Sequence, residues 1–310
     1  MNTSNINGQW SQLAPLAIAR SHPSVASYKG EIYAFGGGGP GFKSLNSSAC
    51  YNPKDNSWRK LRDMPTLRSG TMAATIGDRI YIMGGGFRQE SGQFIFLTTV
   101  EIYHPETDSW ETGPNLLMPH DYPAVAIIDE TIYILGGHHP DATQGGPQTD
   151  PGFDFCERLD TKKEAWEEIA PLPTPRFALS AVTMDGKILA SGGIAFRPEG
   201  FHNFNTIEVY DPATDKWTQD DQLALPWVAA GLGSAKLGDD IYVFGGYSHD
   251  SIHPRSAYYS PSNKEWQQIA SLPAPVAAMG VTVCDGAIYS VGGWADDGRS
   301  PITGVYRYMP

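Results

Sequence analysis

Seven of the chain's eight histidines fall in two recurring contexts, and both contexts also carry arginines and aromatic residues. The first context lies sixteen residues before each of six glycine pairs, at Arg20, Arg68, His120, Arg176, Ala229 and Val276. Its neighbours add His22, Asp121, Tyr122, Phe177 and Trp227. The second context follows the glycine pairs. It offers Phe42 and Lys43; Phe87, Arg88 and Glu90; His138, His139 and Asp141; Arg197, Glu199 and His202; Tyr247, His249, Asp250 and His253; and Trp294, Asp296 and Asp297. Histidine titrates near neutral pH, so His120, oriented by Asp121, and His138 or His139 are the candidates for moving protons. Arg20, Arg68 and Arg176, with Arg88 and Arg197, could hold a carboxylate or another oxygen-rich group. His22, Tyr122, Phe177, Trp227, Tyr247, His249 and Trp294 would complete the walls of a small-molecule pocket. The bland alternative is that the arginines bond neighbouring loops and the loop histidines meet water.

The elements that must position these residues are repeats. IYAFGG (32–37) returns as IYIMGG (80–85), IYILGG (132–137), ILASGG (188–193), IYVFGG (241–246) and IYSVGG (288–293). The period of 47 to 56 residues is that of a propeller, solenoid or array. A Trp opens each unit, at 10, 58, 110, 166, 217 and 266, and a Tyr position closes it, at 51, 103, 159 (Leu), 210, 259 and 308. Short polar turns such as Lys29-Gly30, Asp185-Gly186 and Asp239-Asp240 precede each IYxxGG run. Each unit therefore reads as four short strands. The chain begins with a Trp strand (9–13) and stops after a Tyr strand (305–308), so the first strand is expected to complete the last blade. The fold class is all-β: one six-bladed propeller of four-stranded antiparallel blades, spanning 1–310 with repeats over 8–308. The loops from the second Gly to the Tyr position vary in length from blade to blade, and these share a face with the crossings between blades. Variable loops on a fixed scaffold are where such folds put function.

The 34 Gly and 24 Pro fit many turns, and the net charge of −12 argues against nucleic acid or an anionic membrane as partner. Cys50, Cys156 and Cys284 form neither a disulfide framework nor a CxxC site, and read as thiols of a reducing, cytoplasmic protein. No leader segment and no stretch of membrane-spanning length is visible. His138-His139-x-Asp141 and His249-Asp250-x-x-His253 have metal-ligand residue types without a diagnostic spacing, so neither metal nor cofactor is expected.

The Gly pair, Tyr and Trp at these offsets resemble the kelch repeat of β-propellers over essentially the whole chain. Leu159 and Leu189 depart from its Tyr positions. The iron-binding Glu-x-x-x-Asp-x-x-x-His pattern of the kelch nitrile-specifier proteins is not found. The resemblance to kelch sialate mutarotases and kelch-type cyclases implies an enzyme without a redox cofactor: an isomerase, mutarotase, lyase or cyclase working by acid–base chemistry. Its ligand would have an anionic or polar end. The alternative is a protein-recognition module that grips an acidic peptide through the Arg-bearing face, as in many eukaryotic kelch proteins. A third reading is a structural or carbohydrate-binding propeller that relies on its aromatic residues.

Overall fold

Two-residue polar turns join the first two strands of every blade, and Lys29, Asp129, Asp185 and Asp285 take the positive φ that such hairpins need. The fifth turn is Gly238-Asp239, one residue earlier than the sequence suggests, because Gly238 supplies the positive φ. The computed structural model describes residues 8–141, 151–249, 251–295 and 300–310. Asp250, Asp296 and Asp297, and the side chain of Phe42, lie outside the described residues.

Six four-stranded antiparallel sheets follow one another round an axis. The first blade is Ser24–Tyr28, Glu31–Phe35, Ser48–Asn52 and Ser57–Lys60, and its innermost strand is the first. The sixth is Gly280–Cys284, Ala287–Val291, Val305–Met309 and, from the other end of the chain, Gln9–Gln12. Trp10 pairs with Tyr308 in that closure, so the sixth blade has four strands like the others. Three of the variable loops carry additional pairing. Phe94–Phe96 adds to Arg79–Arg88, Ile194–Arg197 pairs with Gly200–Asn203, and Tyr247–Ser248 pairs with Ser251–Ile252.

Six hydrophobic clusters fill the six interfaces between neighbouring blades. Each joins the second strand of one blade to the second strand and the Tyr position (Leu159 in the third blade) of the next. The tryptophans add a polar latch. Every scaffold indole N–H donates to a carbonyl on the outer connection of the preceding blade: Trp58 to Ala14, Trp110 to Arg62, Trp166 to Pro114, Trp217 to Ala170, Trp266 to Leu223 and Trp10 to Ala270. Trp10 thus closes the ring by strand pairing and by its latch. Trp10→Phe keeps the ring and removes the donor. It is expected to lower stability by about 1 kcal/mol in urea unfolding, without altering the fold's circular dichroism.

Candidate functional site

Both glycines of all six pairs have positive φ. The reason is the next blade. The second glycine's N–H donates to the carbonyl of the residue sixteen before the following pair: Gly37 to Arg68, Gly85 to His120, Gly137 to Arg176, Gly193 to Ala229, Gly246 to Val276 and Gly293 to Arg20, at 2.7–3.0 Å. A Cβ on the first glycine would collide with that same carbonyl.

The side chains at those positions point elsewhere than the sequence suggests. Arg20, Arg68, His120 and Arg176 are 0–2% exposed and lie inside their own blades. Each donates to the carbonyl of its blade's first glycine: Arg20 to Gly36 (3.0 Å), Arg68 to Gly84 (3.1 Å), His120 Nδ1 to Gly136 (2.6 Å) and Arg176 to Gly192 (3.0 Å). Three then meet buried carboxylates. Arg68 pairs with Glu101 at 3.1 Å, His120 Nε2 with Glu157 at 3.1 Å, and Arg176 with Glu208 at 2.6 Å. Glu157 also accepts the Leu117 and Met118 N–H groups. Arg20 has Ala49 in the Glu register and uses Ser47 instead. Burial lowers its pKa to about 10, opposed by Asp63. In the last two blades the pair is replaced by Ala229 with Ala257 and Val276 with Tyr306, all buried. The expected arginine ring at the mouth is therefore a set of bolts inside the blades, and the His120–Asp121 pairing does not form. Trp227 is also core, packed with Leu225, Ala229 and Leu232.

The mouth is built one and two residues further on. Residue 22 and its equivalents (His22, Gly70, Tyr122, Ala178, Gly231, Ala278) all have φ between 48° and 66°. Five N–H groups of this ring donate to the carbonyl of the adjacent blade's member: His22 to Ala278, Tyr122 to Gly70, Ala178 to Tyr122, Gly231 to Ala178 and Ala278 to Gly231. Left-handed geometry costs a non-glycine residue about 1 kcal/mol. His22 and Tyr122 nevertheless place large rings there, while the opposite side keeps Ala178, Gly231 and Ala278 small.

His22 and Tyr122 meet above Gly70, at 4.3 Å between ring centroids. Around them runs a string of rings. Phe177 packs on His138 (3.7 Å), His138 on Tyr122 (5.3 Å), His22 on Trp294 (4.5 Å) and Trp294 on Tyr247 (6.1 Å). His138 Nδ1 lies 3.0 Å from Asp121 Oδ2, and Asp121 is buried. A carboxylate only accepts, so Nδ1 carries the proton of this hydrogen bond. Gly70 is part of this pair's cradle, because Asp121 Oδ1 occupies the space a Cβ at 70 would fill. Desolvation, with His138 second, pushes the His22 pKa down to about 3, so this imidazole is neutral at pH 7. Beneath the rings lies a cavity of about 170 Å3 on the axis, lined by four residues from each inner strand, His22 and Tyr122 among them.

The structure thus gathers His22, Asp121, Tyr122, His138, Phe177, Tyr247 and Trp294, and leaves the other candidates away from the cavity. Arg88 is exposed and bonds Gly92, Arg197 lies over Phe204, and His139 caps Asp141 beside Phe153. His249 is exposed, and His253 bonds Ser248 at 2.6 Å. Among the described residues no three His, Cys, Asp or Glu side chains converge as metal ligands. The carboxylates Glu101, Glu157 and Glu208 were missed, although their signal is present: Glu stands two residues before the Tyr position only in the units whose partner position is Arg68, His120 or Arg176.

The chain belongs to the kelch-repeat family. The KLHDC2/KLHL20/DRC7 Kelch-repeats domain matches residues 6–193, and the Kelch motif matches 175–219 and 229–273. Kelch-like protein 36 of Bos taurus is 30% identical over 286 residues, 89% of this chain and 44% of that protein. Kelch-like protein terF of Aspergillus terreus is 29% identical over 233 residues, 71% of this chain and 49% of that protein. Beta-scruin of Limulus polyphemus is 28% identical over 287 residues, 88% of this chain and 30% of that protein. The chain therefore spans less than half the length of the curated relatives it matches. Among solved structures, that of YjhT superimposes with a TM-score of 0.80 at 16% identity, covering 94% of this chain and 95% of that one, which shows a shared fold.

The bolts carry a stability consequence. Arg176→Ala is expected to cost about 3–5 kcal/mol in urea unfolding, because it strands the Glu208 carboxylate in the interior. The double change Arg176→Met with Glu208→Leu should recover most of that loss. An Arg176→Ala protein of unaltered stability would mean that this guanidinium is not a bolt.

Proposed function

We propose that the chain is a small-molecule enzyme of the acid–base type, an isomerase, lyase, cyclase or mutarotase, with its site at the channel mouth. The observation that carries this reading is the His138–Asp121 pair at 3.0 Å, set beside Tyr122 with a neutral His22 across the same ring. His138, held by Asp121, takes a proton from the ligand and returns it at another carbon, an isomerisation, or to the departing group, an elimination. His22 donates or accepts a hydrogen bond at the atom where charge develops. The net change is an isomerisation or an elimination, and neither needs a redox partner.

A protein-binding role remains the second reading, and one observation favours a modified form of it. Ile18, Leu67 and Leu117, on the connections leading into three successive blades, are 40%, 42% and 49% exposed. Such an arc suits an apolar partner segment rather than an acidic peptide, since Arg20, Arg68 and Arg176 are occupied inside the blades.

The test is to incubate the full chain with a small-molecule extract in D2O and follow isotope uptake and isomer ratios by mass spectrometry. Wild type is expected to exchange or convert at least one compound. Asp121→Asn should slow that conversion by about 100-fold or more. If no compound changes and a protein is retained from whole lysate instead, the enzyme reading fails and the second takes its place.

A further inference from the structure

The His22 imidazole, on the cavity wall, has no hydrogen-bond partner among the described residues. Its ring packs against those of Tyr122 and Trp294. A polar group left without a partner beside aromatic walls is unfavourable, and a bound ligand's polar atom would relieve it.

Size and charge narrow the ligand. A dry cavity of about 150 Å3 accepts one benzene molecule. The cavity of about 170 Å3 therefore has room for one six-membered ring and a small substituent. Among the described residues no lysine or arginine lines it. The cations expected at the mouth, Arg20, Arg68 and Arg176, spend their donors on backbone carbonyls and buried carboxylates inside the blades. The buried Asp121 carboxylate sits beside the rings, and the chain as a whole carries −12. Among the described residues that line the cavity, a carboxylate or phosphate would meet no cation. An uncharged ring meets aromatic walls at His22 and Tyr122, and open space over Ala178, Gly231 and Ala278.

Building on the small-molecule reading above, we infer that the mouth takes a single uncharged ring bearing a hydroxyl or carbonyl oxygen, held at that oxygen by His22. A neutral imidazole offers one donor and one acceptor, so either kind of oxygen is served.

The test titrates phenol, toluene and benzoate separately into the full chain at pH 7, followed by calorimetry and by amide shifts of residues 22–25 and 122–125. Phenol is expected to bind at least tenfold more tightly than benzoate. His22→Phe keeps a ring in place and should weaken phenol about tenfold while leaving toluene unchanged. Benzoate binding as tightly as phenol would overturn the ligand class while leaving a small-molecule site standing. Phenol binding indifferent to His22→Phe would overturn the assigned contact. Binding of none of the three would remove both the ligand class and the small-molecule site.

Discussion

The hydrogen bond from the second glycine of one blade to the lead-in carbonyl of the next is the constraint on which the molecule rests. It is made six times, and the sixth, from Gly293 to Arg20, joins the last blade to the first. It demands positive φ at two successive residues and tolerates no Cβ at the first, so only a glycine pair meets it at low cost. The first glycine's own carbonyl is left facing the blade interior. In four blades a buried Arg or His satisfies it, and that side chain then meets a carboxylate in three of them. Strand pairing, the bolts and the indole latches all build on this frame.

Because the frame is uniform, individuality is confined to the side chains it carries. The ring of left-handed residues shows this most directly. Its backbone conformation is the same in all six blades, and glycine or alanine fills it in four. His22 and Tyr122 are accommodated despite the conformational cost, on the same side of the axis as the Asp121–His138 pair. The frame explains why a residue there must point at the mouth. It gives no structural reason for a histidine or a tyrosine in that place, and backbone strain of this kind concentrates at functional sites.

Most of the fold was legible because the glycine pair, Tyr and Trp each answer to a local geometric demand that repeats. The closure by Gln9–Gln12 and the six blades follow from the same columns. The site was legible only in part. Reading columns brought His22, Asp121, Tyr122, His138, Phe177, Tyr247 and Trp294 to one mouth. It also brought the arginines there, since a column of positions says which residues share a level and nothing about whether a side chain turns inward. Glu101, Glu157 and Glu208 hold the key to that direction, and they stand about thirty residues from their cationic partners on another strand. Trp227 misled for a similar reason: an unusual residue in an unusual position proved to be core packing. The added hairpins in the variable loops were hidden because their short runs alternate weakly.

The central claim is that the channel mouth holds a neutral His22, without a hydrogen-bond partner among the described residues, beside a His138 bonded to Asp121. Histidine-selective 15N NMR, titrated over pH 4–8 on the full chain, tests it most directly. The account predicts that His22 keeps the shifts of a neutral imidazole throughout, because its pKa of about 3 lies below that window. It also predicts that neutral His138 shows a single tautomer with the proton on Nδ1, and that this fixed tautomer is lost in Asp121→Asn. A His22 that titrates near its ordinary value of about 6.5, or a His138 that averages between tautomers, would contradict it.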